Sequence, residues 1–313
     1  KNRAIGAVSW LIFVFLNGSA TKLRMIEQFI TKIRQYEIRI RKAVNADMRG
    51  SFRSVFKGSG LEFTDLREYQ YGDDVRTIDW NVSAKGHGTF VKIFREEKEQ
   101  TVFFLLDVSG SQQVGDATHV KLDTAKEICG VLALSAIQEA SHVGLLCFSD
   151  QKEKYIRPSN GMKHGYQLIT ELYKLKPQSP KTNLAEAILF TLKVVKRRSV
   201  VIFVSDFIDK NYEHNLRALA RKHDLVMIHL LDQRETNLPR LGIIPLRDPE
   251  TNKTTWINTS SLWFRRRIRQ DFSQLSQKIE QFARQNDINY VSIDAKEDYV
   301  TPLVKLFRIR RKG

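Results

Sequence analysis

Residues 101–111, TVFFLLDVSGS, constrain the fold more than any other stretch. An unbroken run of Val, Phe and Leu this short reads as a β-strand buried on both faces, the kind found inside a mostly parallel sheet. The run stops at Asp107, and Ser109 and Ser111 follow at every second residue. In an open α/β sheet, ligands bind in the crevice beyond the carboxyl ends of the strands. Three oxygen donors at such a strand end suit a hard cation. Mg²⁺ prefers six oxygens and keeps several waters, so one carboxylate and two hydroxyls would hold it without saturating it.

The rest of the chain alternates as a doubly wound α/β sheet should. Helices are predicted over 119–139, 162–175, 184–195, 212–222, 260–284 and 300–307, with Ser260 capping the long one. Strands are predicted over 143–148, 155–157, 200–204, 225–231 and 290–293, and 241–246 with 254–258 reads as a hairpin. Ahead of this unit, 61–100 is a small β-leaning module with turns at Gly72-Asp73-Asp74 and Gly86-His87-Gly88. Its charged set, Glu62, Asp65, Arg67, Glu68, Asp73, Asp74, Arg76 and Asp79, could hide a catalytic carboxylate pair or face a partner. Interleaved Arg and Asp near aromatics point instead to a hydrogen-bonded network that fixes the module.

Asp107-Val108-Ser109-Gly110-Ser111 resembles the D-x-S-x-S signature of the metal-ion-dependent adhesion site in von Willebrand factor A domains. That site also takes a Thr and an Asp from two later loops. Thr182, ahead of the 184–195 helix, and Asp206, closing 200–205, match them, so the resemblance implies the metal set Asp107, Ser109, Ser111, Thr182 and Asp206. Ser59-Gly60-Leu61-Glu62-Phe63, Leu66-Arg67-Glu68-Tyr69, Gly72-Asp73-Asp74-Val75-Arg76 and Ile78-Asp79-Trp80 resemble the bacterial DUF58 family. These are A-domain proteins encoded beside MoxR-type AAA+ ATPases. The resemblance covers nearly everything after Met25. It implies a Mg²⁺ or similar divalent ion and a MoxR-type partner. A client protein would supply the acidic residue that completes the metal shell.

The formal charge of +16 on 313 residues raises a nucleic-acid reading, so its placement matters. Residues 1–60 hold 12 Lys and Arg against 3 Asp and Glu, residues 261–313 hold 12 against 6, and the middle holds 27 against 26. The excess is terminal, and no RRM, zinc or helix-turn-helix signature accompanies it. Solvated helix faces are the leading reading. Peripheral contact of the basic ends with an anionic membrane is kept beside it, and no specific nucleic acid is expected. Cys129 and Cys147 have neither metal-ligand spacing nor the density of a disulfide scaffold, and read as buried thiols in a reducing cytoplasm.

Residues 4–16 form an apolar run flanked by Lys1, Arg3, Lys22 and Arg24. It falls short of the roughly 18–20 apolar residues of a spanning helix. We expect residues 1–24 to be an upstream extension with Met25 as the natural start, and a membrane anchor is the alternative. Residues 25–60 are expected to comprise an amphipathic helix with Met25, Ile26, Phe29, Ile30, Ile33, Ile40 and Val44 on its apolar face, then a Gly- and Ser-rich linker over 50–60. No G-x-x-x-x-G-K-[ST] occurs, so the chain does not read as its own ATPase.

The expectation is therefore an α/β fold with a doubly wound, mostly parallel, von Willebrand A-like sheet over 101–313, preceded by a helix and a β-rich module. The expected role is a metal-dependent protein-interaction adaptor working with a MoxR-type ATPase in protein remodelling, maturation or assembly. No catalytic residue is assigned. A Mg²⁺-dependent hydrolase using Asp107 and Asp206 is the alternative, but metal hydrolases commonly add a positioned base or second ion. No G-x-S-x-G surrounds Ser109, and His119 near Ser111 lacks an evident orienting Asp. A basic nucleic-acid or membrane-surface binding protein is the third reading.

Overall fold

The computed structural model describes residues 24–43 and 61–312, apart from 87, 97–99, 117–118, 249 and 251–252. The apolar run at 4–16 and the linker at 50–60 lie outside the described residues.

Six strands form the central sheet: β3 (Thr101–Asp107), β4 (His142–Phe148), β5 (Lys152–Ser159), β6 (Val200–Ser205), β7 (Asp224–Leu231) and β10 (Asn289–Asp294), in the order β10-β7-β6-β3-β4-β5. Counted along the chain within this sheet, the spatial order is 3-2-1-4-5-6, a doubly wound order whose direction reverses between β3 and β6. All pairings are parallel except β4 with β5. Val102, Phe103, Phe104, Leu105 and Leu106 are fully buried, as a strand with neighbours on both edges and helices on both faces must be.

The helices divide between the two faces. Helix α1 (24–43) packs with α3 (Lys121–Gln138), α4 (Met162–Lys174) and α9 (Val300–Lys312) over Phe104, Leu106, Ile202 and Val204. On the opposite face α5 (Leu184–Val194), α6 (Glu213–Lys222) and α8 (Leu262–Gln285) enclose Phe103, Leu105, Phe203 and Met227. Because α3 has the sheet on one side and α1 on the other, nearly all of it is buried. A Cβ on Gly130 would stand 2.5 Å from Ile33 Cδ1, so the Ile33 side chain packs directly on the glycine where α1 crosses α3. Ile33 and Ile40, two helical turns apart, are the fully buried apolar residues of α1.

Several predicted boundaries move. Strand β5 runs well beyond 155–157 and pairs antiparallel at the sheet edge. Its Pro158 reads as a break in sequence, yet proline is tolerated on an edge strand. Helix α3 starts at Lys121 rather than 119, because Val120 is held in a bridge to Gly115 and lies in extended backbone. Ser261, not Ser260, caps α8, its hydroxyl accepting from the Phe264 amide.

The small module is an antiparallel pair, β1 (Leu61–Glu68) with β2 (Phe90–Glu96), connected through a 3-10 turn and the single-turn helix α2 (Trp80–Ser83). Asp73, Asp74 and Asp79 serve as caps and ion partners. Asp73 accepts from both terminal nitrogens of Arg67 at 2.7 and 2.6 Å. Asp79 caps α2 and pairs with Lys92 at 3.3 Å, and Asp74 caps the 3-10 turn. This is the fixing network anticipated from the sequence.

Between β7 and α8 come α7 (Gln233–Thr236) and the hairpin β8 (Ile243–Arg247) with β9 (Thr254–Asn258). Among the described residues no helix is long and apolar enough to cross a membrane.

Candidate metal centre

Asp107 is the last residue of β3, and Ser205 is the last of β6, its direct neighbour. These strands flank the point where the sheet order reverses, so their ends open into the crevice where doubly wound folds bind ligands. The Ser109 amide donates to Asp107 Oδ1 at 3.0 Å, folding the loop back on the carboxylate. A 3-10 turn, Gly110–Gln113, then brings Ser111 Oγ to 3.2 Å from Ser109 Oγ. The Ser111 hydroxyl also reaches the Asp206 carboxylate.

Thr182 joins through its loop: the Gly110 amide donates to the Pro180 carbonyl at 2.7 Å, and the Asn183 amide to the Ser149 carbonyl at 3.2 Å. Asp107, Ser109, Ser111 and Asp206 are thus drawn into one hydrogen-bonded group. Thr182 stands on the adjoining loop, where its hydroxyl donates to Glu250 Oε1 at 2.8 Å.

The electrostatics are uneven. Asp107 is pushed up to about 7 by burial, with the Asp206 charge adding to it, while hydroxyl and amide bonds from Ser205 and Ser109 pull the other way. Burial acts on Asp206 too, but the Lys121 charge and hydrogen bond outweigh it and hold the carboxyl below its ordinary range. Lys121 Nζ, wholly buried, lies 2.8 Å from both Asp206 Oδ2 and Glu235 Oε1. Burial would strip its proton, but the two carboxylates outweigh it and raise its affinity for that proton.

One ammonium shared between Asp206 and Glu235 leaves the buried Asp107 carboxyl without a cationic partner, met only by hydroxyl and amide donors. Buried charges need partners or a metal. The donor set fits a hard dication: carboxylate and hydroxyl oxygens only. Ligands at right angles on an ion with bonds of about 2.1 Å stand about 3 Å apart, close to the Ser109–Ser111 and Thr182–Glu250 separations. Among the described residues no group of three or more His, Cys, Asp or Glu is placed to hold a metal. An ion at this site would therefore depend on the hydroxyls.

Phe207, immediately after Asp206, has φ 56° and is fully buried. A bulky residue in the left-handed region is strained and needs packing to hold it. Phe203, Tyr212 and His229 surround its ring. Burial pushes His229 down to about 4, so this base beside the site is neutral. His119 bonds Thr124 Oγ1 at 2.8 Å instead of a site serine, which removes the Ser/His pairing considered above. The thiols of Cys129 and Cys147 are buried and free, and burial raises both, Cys147 to about 12.

Sequence reasoning missed Lys121, Ser205, Glu235 and Glu250. Ser205 was the most accessible of the four, since it directly precedes Asp206 at the end of a core strand. Its hydroxyl donates to Asp107 Oδ2 at 2.7 Å and accepts from the Phe207 amide at 2.9 Å.

A model of the family described as "Protein of unknown function DUF58" matches residues 65–280, well over half of the chain. The chain belongs to the DUF58 family. The matched span takes in the loop after β3 and the ends of β3 and β6. An uncharacterized protein of Mycobacterium tuberculosis is 24% identical over 289 residues, covering 90% of this chain and 89% of that one. Among solved structures, BatB of Bacteroides thetaiotaomicron is 15% identical with a TM-score of 0.45, covering 68% of this DUF58 chain and 100% of BatB. An aerotolerance-related membrane protein of Bacteroides fragilis is 13% identical with a TM-score of 0.48, over 68% of this chain and 98% of its own.

Proposed function

We propose that this DUF58 protein is a metal-dependent protein-interaction adaptor. The observation that carries the reading is the group Asp107, Ser109, Ser111 and Asp206 at the reversal point of the sheet, with Thr182 on the loop bonded to it. A bound dication would supply positive charge and an exchangeable coordination position. Asp107, Ser109, Ser111, Thr182 and Asp206 would hold it, with Lys121 fixing Asp206 in its charged form and Ser205 orienting Asp107. Neutral hydroxyls outnumber carboxylates in this set, so the site keeps net affinity for a carboxylate from a partner.

The same features weigh against hydrolysis. A metal-assisted hydrolase wants a base poised beside the reacting water. Asp107 and Asp206 are assigned to the ion, His229 is buried with its Nδ1 bonded to the Tyr290 hydroxyl, and His119 is bonded elsewhere.

The family resemblance supplies the finer part of the proposal: a MoxR-type AAA+ ATPase as working partner and a client protein with an acidic residue, in a cytoplasmic setting that the two unpaired thiols suit. The test is calorimetric titration of Mg²⁺ into wild type and Asp107→Ala, alone and with the ATPase. Binding that the ATPase strengthens and the substitution abolishes supports the adaptor. Identical behaviour of the two proteins rejects it.

A further inference from the structure

Glu250 lies in the turn between β8 and β9, outside every motif of the sequence, yet it is the residue that meets the Thr182 hydroxyl. The turn is held by its own bonds: the Asp248 amide donates to the Lys253 carbonyl at 2.9 Å, and the Glu250 amide to Asp248 Oδ1 at 2.9 Å. Glu250 reaches across 68 residues of chain to a proposed metal ligand.

Its surroundings are electrostatically unfavourable. The carboxyl is half-buried and faces the negative fields of Asp206, Asp248 and Asp209, and among the described residues no cation pairs with it. One neutral hydroxyl is poor compensation for placing a carboxylate among three others. A dication on the neighbouring hydroxyls would reverse the sign of that environment. The Thr182 Oγ1–Glu250 Oε1 separation of 2.8 Å is close to the roughly 3 Å between adjacent oxygens on an octahedral ion with bonds of about 2.1 Å.

We propose that Glu250 is an acidic ligand supplied by the chain itself: when a divalent cation occupies the site, its carboxylate takes the position otherwise open to a partner's carboxylate. The inference rests on the metal-site reading above and deepens it, because a partner must then displace Glu250 to engage the ion. The β8–β9 hairpin, anchored at its base by bonds from Leu241 and Gly242 to Thr259 and Ser260, delivers that residue.

The experiment uses the full chain and Mn²⁺ alone as probe, with free Mn²⁺ read by EPR and bound water by proton relaxation. Wild type, Glu250→Gln and Asp107→Ala are compared, each checked for its thermal transition. Loss of a directly bound carboxylate is expected to weaken Mn²⁺ binding at least about tenfold, with one additional exchanging water on the bound ion. Acetate should displace that water in Glu250→Gln and leave wild type unchanged. If Glu250→Gln matches wild type in affinity and relaxation while Asp107→Ala loses the ion, the self-ligand idea is wrong and the metal site stands. If wild type and Asp107→Ala bind Mn²⁺ equally or not at all, both ideas fall.

Discussion

Asp107 and Asp206 make a controlled comparison within one molecule. Asp107 ends one strand and Asp206 follows its neighbour in the same sheet, both are almost wholly buried, and each influences the other. One carboxyl is pushed up to about 7 and the other is held below its ordinary range. Burial is common to both and cannot be the cause of the difference. The cause is Lys121, whose ammonium reaches Asp206 and Glu235. Asp107 meets instead the Ser109 amide and the Ser205 hydroxyl, neutral donors both. One end of the site is thus neutralised by the protein, and the other is left for an added cation.

The largest break in that comparison is Lys121→Met. It leaves Asp206 and Glu235 buried without their cation, and should cost about 3–5 kcal/mol in urea unfolding at neutral pH. Next is pH, with the metal chelated. Folding raises the Asp107 pKa, so the native state holds a proton that the unfolded chain has released. The contribution of this group to stability is therefore greatest below about pH 4 and is lost as pH rises through about 7, by on the order of 2–4 kcal/mol at the upper limit. Asp107→Asn should remove that slope, and a calorimetric scan series at fixed ionic strength would show it. Saturating Mg²⁺ should flatten it as well. Ser205→Ala removes a donor to Asp107 and an acceptor of the Phe207 amide, at a cost of about 1–3 kcal/mol by denaturant midpoint. The smallest effect is expected for Thr182→Ala in chelator, about 0.5–1.5 kcal/mol, because its partner Glu250 is only half-buried. The same substitution should weaken Mg²⁺ binding far more than it weakens the fold, as calorimetric titration would report.

The parts of this arrangement that sequence reading reached are those encoded by local pattern. Residues 101–107 are apolar enough that only a central strand accommodates them, and Asp107, Ser109 and Ser111 follow at fixed offsets. Asp206 likewise comes directly after an apolar strand. Lys121 was not legible, since a lysine at a helix start ordinarily reads as a solvated charge. Its burial follows from Asp206 and Glu235, which lie 85 and 114 residues away. Glu250 sits in Arg247-Asp248-Pro249-Glu250-Thr251-Asn252-Lys253, where turn composition masks any other purpose. Its role depends on how a hairpin folds over a distant loop. Strand β5 was shortened in prediction because alternation is weak on a half-exposed edge strand.

Helix α1 bears on where this domain begins. The region by which the family is recognised spans 65–280, yet Ile33 and Ile40 of α1 and Leu303, Leu306 and Phe307 of α9 belong to the same buried cluster as the strands around the site. Strand β10, which closes one sheet edge, also lies beyond that span. An excised fragment limited to 65–280 would uncover the outer face of α3, including Gly130, and leave β7 as an unpaired edge. Such a fragment would present fresh apolar surface and free backbone donors, the conditions for self-association. Truncations meant to isolate the metal centre should therefore retain 24–43 and continue through α9.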